Sequence, residues 1–171
     1  MPLPIQILRS ELFMVEKKVM LTYDGLTKME AELENLKIVR RKEVAEKIKE
    51  ARGQGDLSEN AEYDAAKEEQ AEIEARIVVL EKLLRNAEVI DDDDVSRDII
   101  SVGSIVKLYD LEYEEETTYI IVGSAEADPM NGKISNESPV GLGLLGHTLG
   151  EVVTIHAPSG EVKFRIDDIN K

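Results

Sequence analysis

The residues best suited by type and spacing to do chemistry stand in the run Gly53-Gln54-Gly55-Asp56-Leu57-Ser58-Glu59-Asn60. Asp56 and Glu59 are carboxylates three residues apart, a spacing that puts both on one face of a first helical turn. Two readings stand side by side. In the structural one, Asp56 is the N-cap and Glu59 the N3 partner of a capping box, with Asp where Ser or Thr is commoner. Both charges then favour the positive end of the helix. In the chemical one, the pair offers hard oxygen ligands suited to Mg²⁺. Two carboxylates alone hold that ion weakly. Supplied to an incomplete site in another protein, they can recruit a second metal and orient an attacking water, which is the chemistry of two-metal phosphodiester hydrolysis. The readings are compatible, because a cap can present its outer oxygens.

The remaining composition excludes most other chemistry. The 171 residues include no cysteine, so disulfides, thiolate catalysis and Cys-based zinc or iron–sulfur sites are out. The two histidines, His147 and His156, are isolated, and a metal role is not expected of them. Aromatics are 4% of the chain, too few for a large aromatic-lined pocket. A net charge of −15 argues against binding to bare nucleic acid, since phosphate attraction needs a basic surface. No apolar run approaches the roughly 20 residues of a membrane span. A cytoplasmic, acidic protein with no membrane partner is expected, one that binds a partner or works through carboxylates.

The elements that must position Asp56 and Glu59 follow from periodicity. Thr22 is a candidate N-cap for a helix starting near Tyr23. Leu26, Met29, Leu33 and Leu36 recur at coiled-coil spacing, and the seam continues less strictly through Val44, Ile48 and Ala51 to a stop at Gly53 and Gly55. A second helix opens near Asp56–Ser58 with a tighter seam of Ala66, Gln70, Ile73, Ile77, Leu80, Leu84 and Ala87. Tyr63 falls on the same seam, where it is expected to pack the neck of the rod. Two helices of about 30 residues joined by a short loop must be antiparallel neighbours, each spanning roughly 45 Å.

From residue 101 the period changes. Ser104–Leu111, Thr117–Val122, Val152–Ile155 and Glu161–Ile166 read as strands, the last two as a hairpin about Pro158-Ser159-Gly160. Pro139–Leu145 reads as a short helix with Ser138 at its N-cap and Pro139 at N1, weakened by Gly143. The expected fold is therefore two-domain: an N-terminal antiparallel α-helical coiled-coil hairpin over 14–90 with its acidic tip at 53–60, an acidic linker over 91–100, and an α+β domain over 101–171. Asp91–Asp94 lacks the ligand spacing of a calcium loop, and a boundary so rich in Asp has few apolar contacts to offer, so separate folding is expected. Residues 1–13 show no clean period and none of the parts of a signal peptide; with Met14 as a second plausible start, they are expected to be an upstream extension.

These residues carry a resemblance. Leu21-Thr22, Gly25, Arg40-Arg41, Ala51-Arg52, then Gly55-Asp56-Leu57-Ser58-Glu59-Asn60-Ala61-Glu62-Tyr63, Ala66-Lys67 and Gln70, resemble the GreA/GreB family of bacterial transcript cleavage factors. So do Ile134-Ser135, Ser138-Pro139-Val140-Gly141, Leu144-Leu145-Gly146 and Pro158-Ser159-Gly160. The likeness covers roughly residues 14–171, and its modest basic content over 23–90 fits the GreA type better than the GreB type.

The resemblance implies an FKBP-like C-terminal domain that docks on bacterial RNA polymerase near its secondary channel. It implies a coiled coil that enters the channel, and a tip that stimulates the polymerase's own hydrolysis of backtracked RNA near the 3′ end. On this reading the protein is not itself an enzyme. It binds no cofactor stably, uses the Mg²⁺ of the polymerase active centre, meets the 3′ segment of the RNA, touches template DNA only through the elongation complex, and acts as a monomer. Asp56 is assigned chiefly to holding the second Mg²⁺, and Glu59 to positioning or deprotonating the water. Ser58 and Asn60 brace the tip or are solvated. Arg52, with Arg40 and Arg41, is a candidate for RNA or polymerase contact, against a plain solvated face paired with Glu43, Glu46 and Glu50. Ser135, Asn136, Ser138, Pro139 and Gly141 are candidates for polymerase docking, against turn and cap chemistry. Lys67 and Gln70 are expected to organise the coiled coil.

Two other functions are weighed. Prolyl isomerase activity rests on fold analogy alone, and residues 101–171 hold only Tyr109, Tyr113, Tyr119 and Phe164 as aromatics. A related channel binder that blocks without cleaving is disfavoured by the intact GDLSEN pattern and the lack of an added acidic cluster.

Overall fold

A computed structural model describes residues 18–53, 61–90, 97–158 and 160–171. Strand β1 (Val19–Thr22) leads into helix α1 (Tyr23–Asn35), a π-helical turn (Leu36–Arg40) and helix α2 (Arg41–Gly53), which form one continuous helical run. Helix α3 (Ala61–Arg85) returns and ends in strand β2 (Ala87–Ile90). Strands β1 and β2 pair in parallel, Val19 opposite Ala87 and Thr22 opposite Ile90. Parallel neighbours need a long crossover, and here the helical rod is that crossover. The seam reading carried Ala87 in the helix; instead the helix stops at Arg85 and Ala87 opens β2, whose Val89 and Ile90 are β-branched.

Thr22 caps α1 as its spacing predicts, its side chain accepting from the Gly25 N–H at 3.0 Å. The seam residues fall into two buried clusters. Val44, Ile48, Ala66, Ile73 and Ile77 form one, with Leu33, Leu36 and Tyr63 packed against it. Leu21, Met29 and Leu80 form the other, at the base. The loose stretch between Leu36 and Val44 now has a cause. The π turn inserts one residue into the helical repeat. The inward face therefore resumes at Val44, where an unbroken heptad count would place Glu43.

The C-terminal part is a five-stranded sheet in the order β5-β4-β3-β7-β6. Its strands are β3 (Ile105–Asp110), β4 (Glu115–Val122), β5 (Lys133–Ser135), β6 (Val152–Ala157) and β7 (Gly160–Asn170), with helix α4 (Pro139–Leu144) between β5 and β6. All pairings are antiparallel except β4 with β5. β7 is longer than the alternation suggested, and a bulge opposite Lys107/Leu108 shifts its register so that both halves keep an apolar face inward. One core of twelve buried residues, including Leu108, Ile121, Leu144, Phe164 and Ile166, fills the concave side.

The two parts touch. Met20 and Ile90, from the base of the rod, pack against the C-terminal core, and Ala125 packs against the base cluster of the rod. The Asp-rich boundary was expected to have little apolar contact to offer; these contacts come from β1 and β2, which that expectation did not include.

Candidate functional site

Helices α2 and α3 converge on the segment between Gly53 and Ala61. Asp56, Ser58, Glu59 and Asn60 lie in that segment, outside the described residues. The described neck below it is tightly packed. Ala51 and Ala66 are buried, and their small side chains allow close helix approach. Tyr63 packs against the seam cluster, consistent with its seam position. The Arg52 guanidinium sits over the Tyr63 ring at 5.7 Å, a cation–π contact that ties α2 to α3.

The flanks of the rod are laced by ion pairs that join the two helices in opposite chain directions. Arg76 grips Glu32 at 2.6 and 2.8 Å, Lys37 meets Glu81, and Arg41 grips Glu74 at 2.7 and 2.6 Å. Arg40 divides its guanidinium between Glu43 and Glu69, both at 2.6 Å, and Lys47 reaches the other oxygen of Glu69 at 2.7 Å. Four of these carboxyls are shifted. Arg76 holds Glu32 below the usual range, Lys47 and then Arg40 do so for Glu69, Arg41 for Glu74, and Lys37 for Glu81. Arg40 and Arg41 are thus inter-helix ties in this structure. The partners expected for them were in their own helix; only Glu43 is, and Glu69 and Glu74 come from α3. Opposite charges flanking the two seams were the signal that could have found them. Lys67 donates to Gln70 at 2.7 Å, one turn along α3.

The docking candidates run from the end of β5 into the first turn of α4, where their side chains do local work. The Ser135 carbonyl accepts from Ser138 Oγ at 2.7 Å, and Ser138 Oγ accepts from the Gly141 N–H at 3.0 Å, the expected cap of α4. Pro139 stands exposed at the first helical position. Gly141 is required by packing, since a Cβ there would lie 2.0 Å from the Ser135 carbonyl oxygen. Asn136 turns toward the rod, its Nδ2 donating to Met20 Sδ at 3.6 Å. His147 pairs with Glu151 and His156 with Glu161, both at the surface. Among the described residues no group of three or more His, Asp or Glu is arranged to hold a metal.

Sequence reasoning missed Glu126. Its carboxylate accepts from the Thr22 N–H at 2.8 Å and from Thr22 Oγ1 at 2.5 Å. The two residues are 104 positions apart, and no local pattern marks the pair.

Comparison with known proteins covers both parts. Residues 19–89 match the model of the transcription elongation factor N-terminal family, and residues 95–171 match the GreA/GreB transcription elongation factor C-terminal family. Transcription elongation factor GreA of Clostridium botulinum (strain Langeland) is 57% identical over 155 residues, covering 91% of this chain and 97% of that protein. Its counterpart in Thermoanaerobacter pseudethanolicus is 59% identical over 157 residues, covering 92% of this chain and 100% of that protein. The crystal structure of GreA factor homologue 1 of Thermus thermophilus shares 34% identity over 91% of this chain and 100% of that one, with a TM-score of 0.42. With both families matched and identity above one half across most of its length, the chain belongs to the GreA/GreB family of transcription elongation factors.

Proposed function

We propose that this protein stimulates transcript cleavage by bacterial RNA polymerase, bringing Asp56 and Glu59 to the polymerase active centre. The observation that carries the reading is the Gly55–Tyr63 run in the sequence of a chain of this family, whose described helices end at Gly53 and resume at Ala61. Helix α3 alone has 25 residues, or roughly 37 Å of reach. The two helices act as a coiled-coil hairpin that enters the secondary channel. The C-terminal domain, FKBP-like in this reading, docks at the rim through the β5–α4 corner of Ser135, Asn136, Ser138, Pro139 and Gly141. The protein works in the cytoplasm as a monomer, meets the 3′ segment of backtracked RNA, and touches template DNA only through the elongation complex.

Two carboxylates are an incomplete donor set for an ion that takes six oxygens, so they fit a site that the polymerase completes. A second Mg²⁺ held there would supply charge neutralisation and a more acidic bound water. Asp56 contributes a ligand oxygen. Glu59 orients the attacking water or takes its proton. Arg52, fixed against Tyr63 beside the tip, presents its charge to the RNA or to polymerase acids. In this reading hydrolysis is the polymerase's.

The test is cleavage in a stalled, backtracked elongation complex with Mg²⁺. Wild type should release short 3′ fragments, and Asp56→Asn and Glu59→Gln should each lose cleavage while still binding polymerase. Binding without cleavage by wild type would place the chain among inhibitors and return Asp56 and Glu59 to the role of a helix cap.

A further inference from the structure

The joint between rod and C-terminal domain is built with unusual closeness. Gly25 donates to Thr22 Oγ1 at 3.0 Å, Thr22 Oγ1 donates to Glu126, and the Thr22 N–H donates to the same carboxylate at 2.8 Å. The chain of donors runs from the first turn of α1 into one anion of the other domain. That anion lies at the positive end of the helix, where charge-assisted bonds are strongest. Both sides give up a side chain to make the fit. A Cβ on Gly25 would lie 2.1 Å from Glu126 Cδ and Oε1, and a Cβ on Gly123 would lie 1.7 Å from the Met20 carbonyl oxygen. Glu126 is itself fixed, its N–H donating to the Gly123 carbonyl at 2.9 Å.

The helical run that starts at this joint continues from Tyr23 to Gly53, a lever of roughly 46 Å. An angular slack of about 10° at the base moves the far end by about 8 Å over a lever of that length, whereas reacting groups tolerate displacements of about 1 Å. We infer that Glu126 is a positioning residue for cleavage: its grip on Thr22 sets the direction in which the rod leaves the C-terminal domain. This rests on the functional reading above, in which the rod delivers the tip. Glu126 touches neither RNA nor metal in that reading; it acts through α1.

The chain has no cysteine, so spin labels can be placed cleanly at Lys49→Cys and His156→Cys, whose side chains are each 80% exposed. Pulsed electron resonance on the full chain should give a narrow distance distribution for wild type and a broader or displaced one for Glu126→Ala. Gly25→Ala should do the same by pushing the carboxylate aside, and because alanine is the better helix former, circular dichroism should show the rod intact. Glu126→Gln should preserve the wild-type distribution, since its amide can accept from the Thr22 N–H and donate to Oγ1. In the cleavage assay both alanine variants should need about three- to tenfold more factor for half-maximal cleavage, because only a fraction of molecules hold the competent direction. Their maximal rate should stay within about twofold of wild type, and the Gln variant should match wild type on both counts. Unchanged distance distributions in both alanine variants would overturn the inference, as would a lost maximal rate at unchanged half-saturation. Absence of cleavage by wild type would remove the functional reading instead, and the distance measurement would still decide whether Glu126 holds the joint.

Discussion

The rod and the C-terminal domain solve the problem of burial in opposite ways. The C-terminal sheet curls around a single cluster of twelve buried residues. Among the described residues the rod has two clusters, of five and three, strung along its length. A two-helix contact gives each seam residue neighbours on one side only. Its flanks must then be closed by long polar side chains, whose aliphatic stems cover the seam while their charges pair across it. The cost of a thin shape is a core that cannot close in three dimensions. The firm domain sits at one end and anchors the lever.

The largest expected contrast is in core truncation. Ile166 is fully buried, and Ile166→Ala should destabilise the C-terminal domain by about 3–5 kcal/mol, because a closed core cannot collapse onto the cavity. Ile77→Ala in the rod should cost about 2 kcal/mol, at the low end of the range, because a two-helix seam can close by a small shift. Denaturant unfolding followed by tyrosine fluorescence and by far-ultraviolet circular dichroism separates the two once Tyr23 and Tyr63 of the rod are replaced by Phe, since Tyr109, Tyr113 and Tyr119 then report on the C-terminal domain alone and helices α1–α3 dominate the dichroism. Equal losses would mean that the rod is packed as rigidly as the sheet.

A smaller effect is expected at a cap. Ser138 satisfies the Gly141 N–H and ties back to the Ser135 carbonyl. Ser138→Ala should cost about 1 kcal/mol, read in the C-terminal transition alone. If polymerase binding weakens further than that loss of stability explains, the loop contacts the polymerase as well as folding the domain.

Local rules made much of this legible and long-range ones did not. The caps at Thr22 and Ser138 need only a hydroxyl and the next turn, and both stand where their spacing put them. The seam was readable because burial on a helix repeats. The π turn could be seen only as a looseness, since an inserted residue looks the same as a weak heptad until the backbone is known. The parallel pair β1–β2 joins segments separated by the whole rod, and β4–β5 is parallel where sequential strands suggest a meander. Neither leaves a periodic trace. Of the candidate site, Arg40 and Arg41 were found but their ties were not, because the partners lie on the other helix. Glu126 was invisible for the same reason, one acidic residue among many with its partner in another domain.

The smallest expected effect is in the ion pairs that close the rod, and it carries the sharpest sign. Arg76 and Glu32 are bidentate but roughly half exposed, at 48% and 40%. Arg76→Gln should therefore cost only about 0.5 kcal/mol near neutral pH. Arg76, Lys47, Arg41 and Lys37 hold Glu32, Glu69, Glu74 and Glu81 respectively below the ordinary 4.5, so the folded carboxylates bind protons less readily than the unfolded ones. Their contribution is complete above that value and is lost as pH falls through the lowered values. Acidification from pH 7 to about 3 should thus lower the rod's thermal transition relative to the sheet's, where the lowered carboxyls of Glu151 and Asp167 pair with residues close in sequence. The difference between wild type and Arg76→Gln should shrink over the same interval and also in high salt, which screens exposed pairs. A difference that persists at pH 3 would show that Arg76 acts through its aliphatic stem over the seam, and the contrast between the two regions would then lie in packing alone.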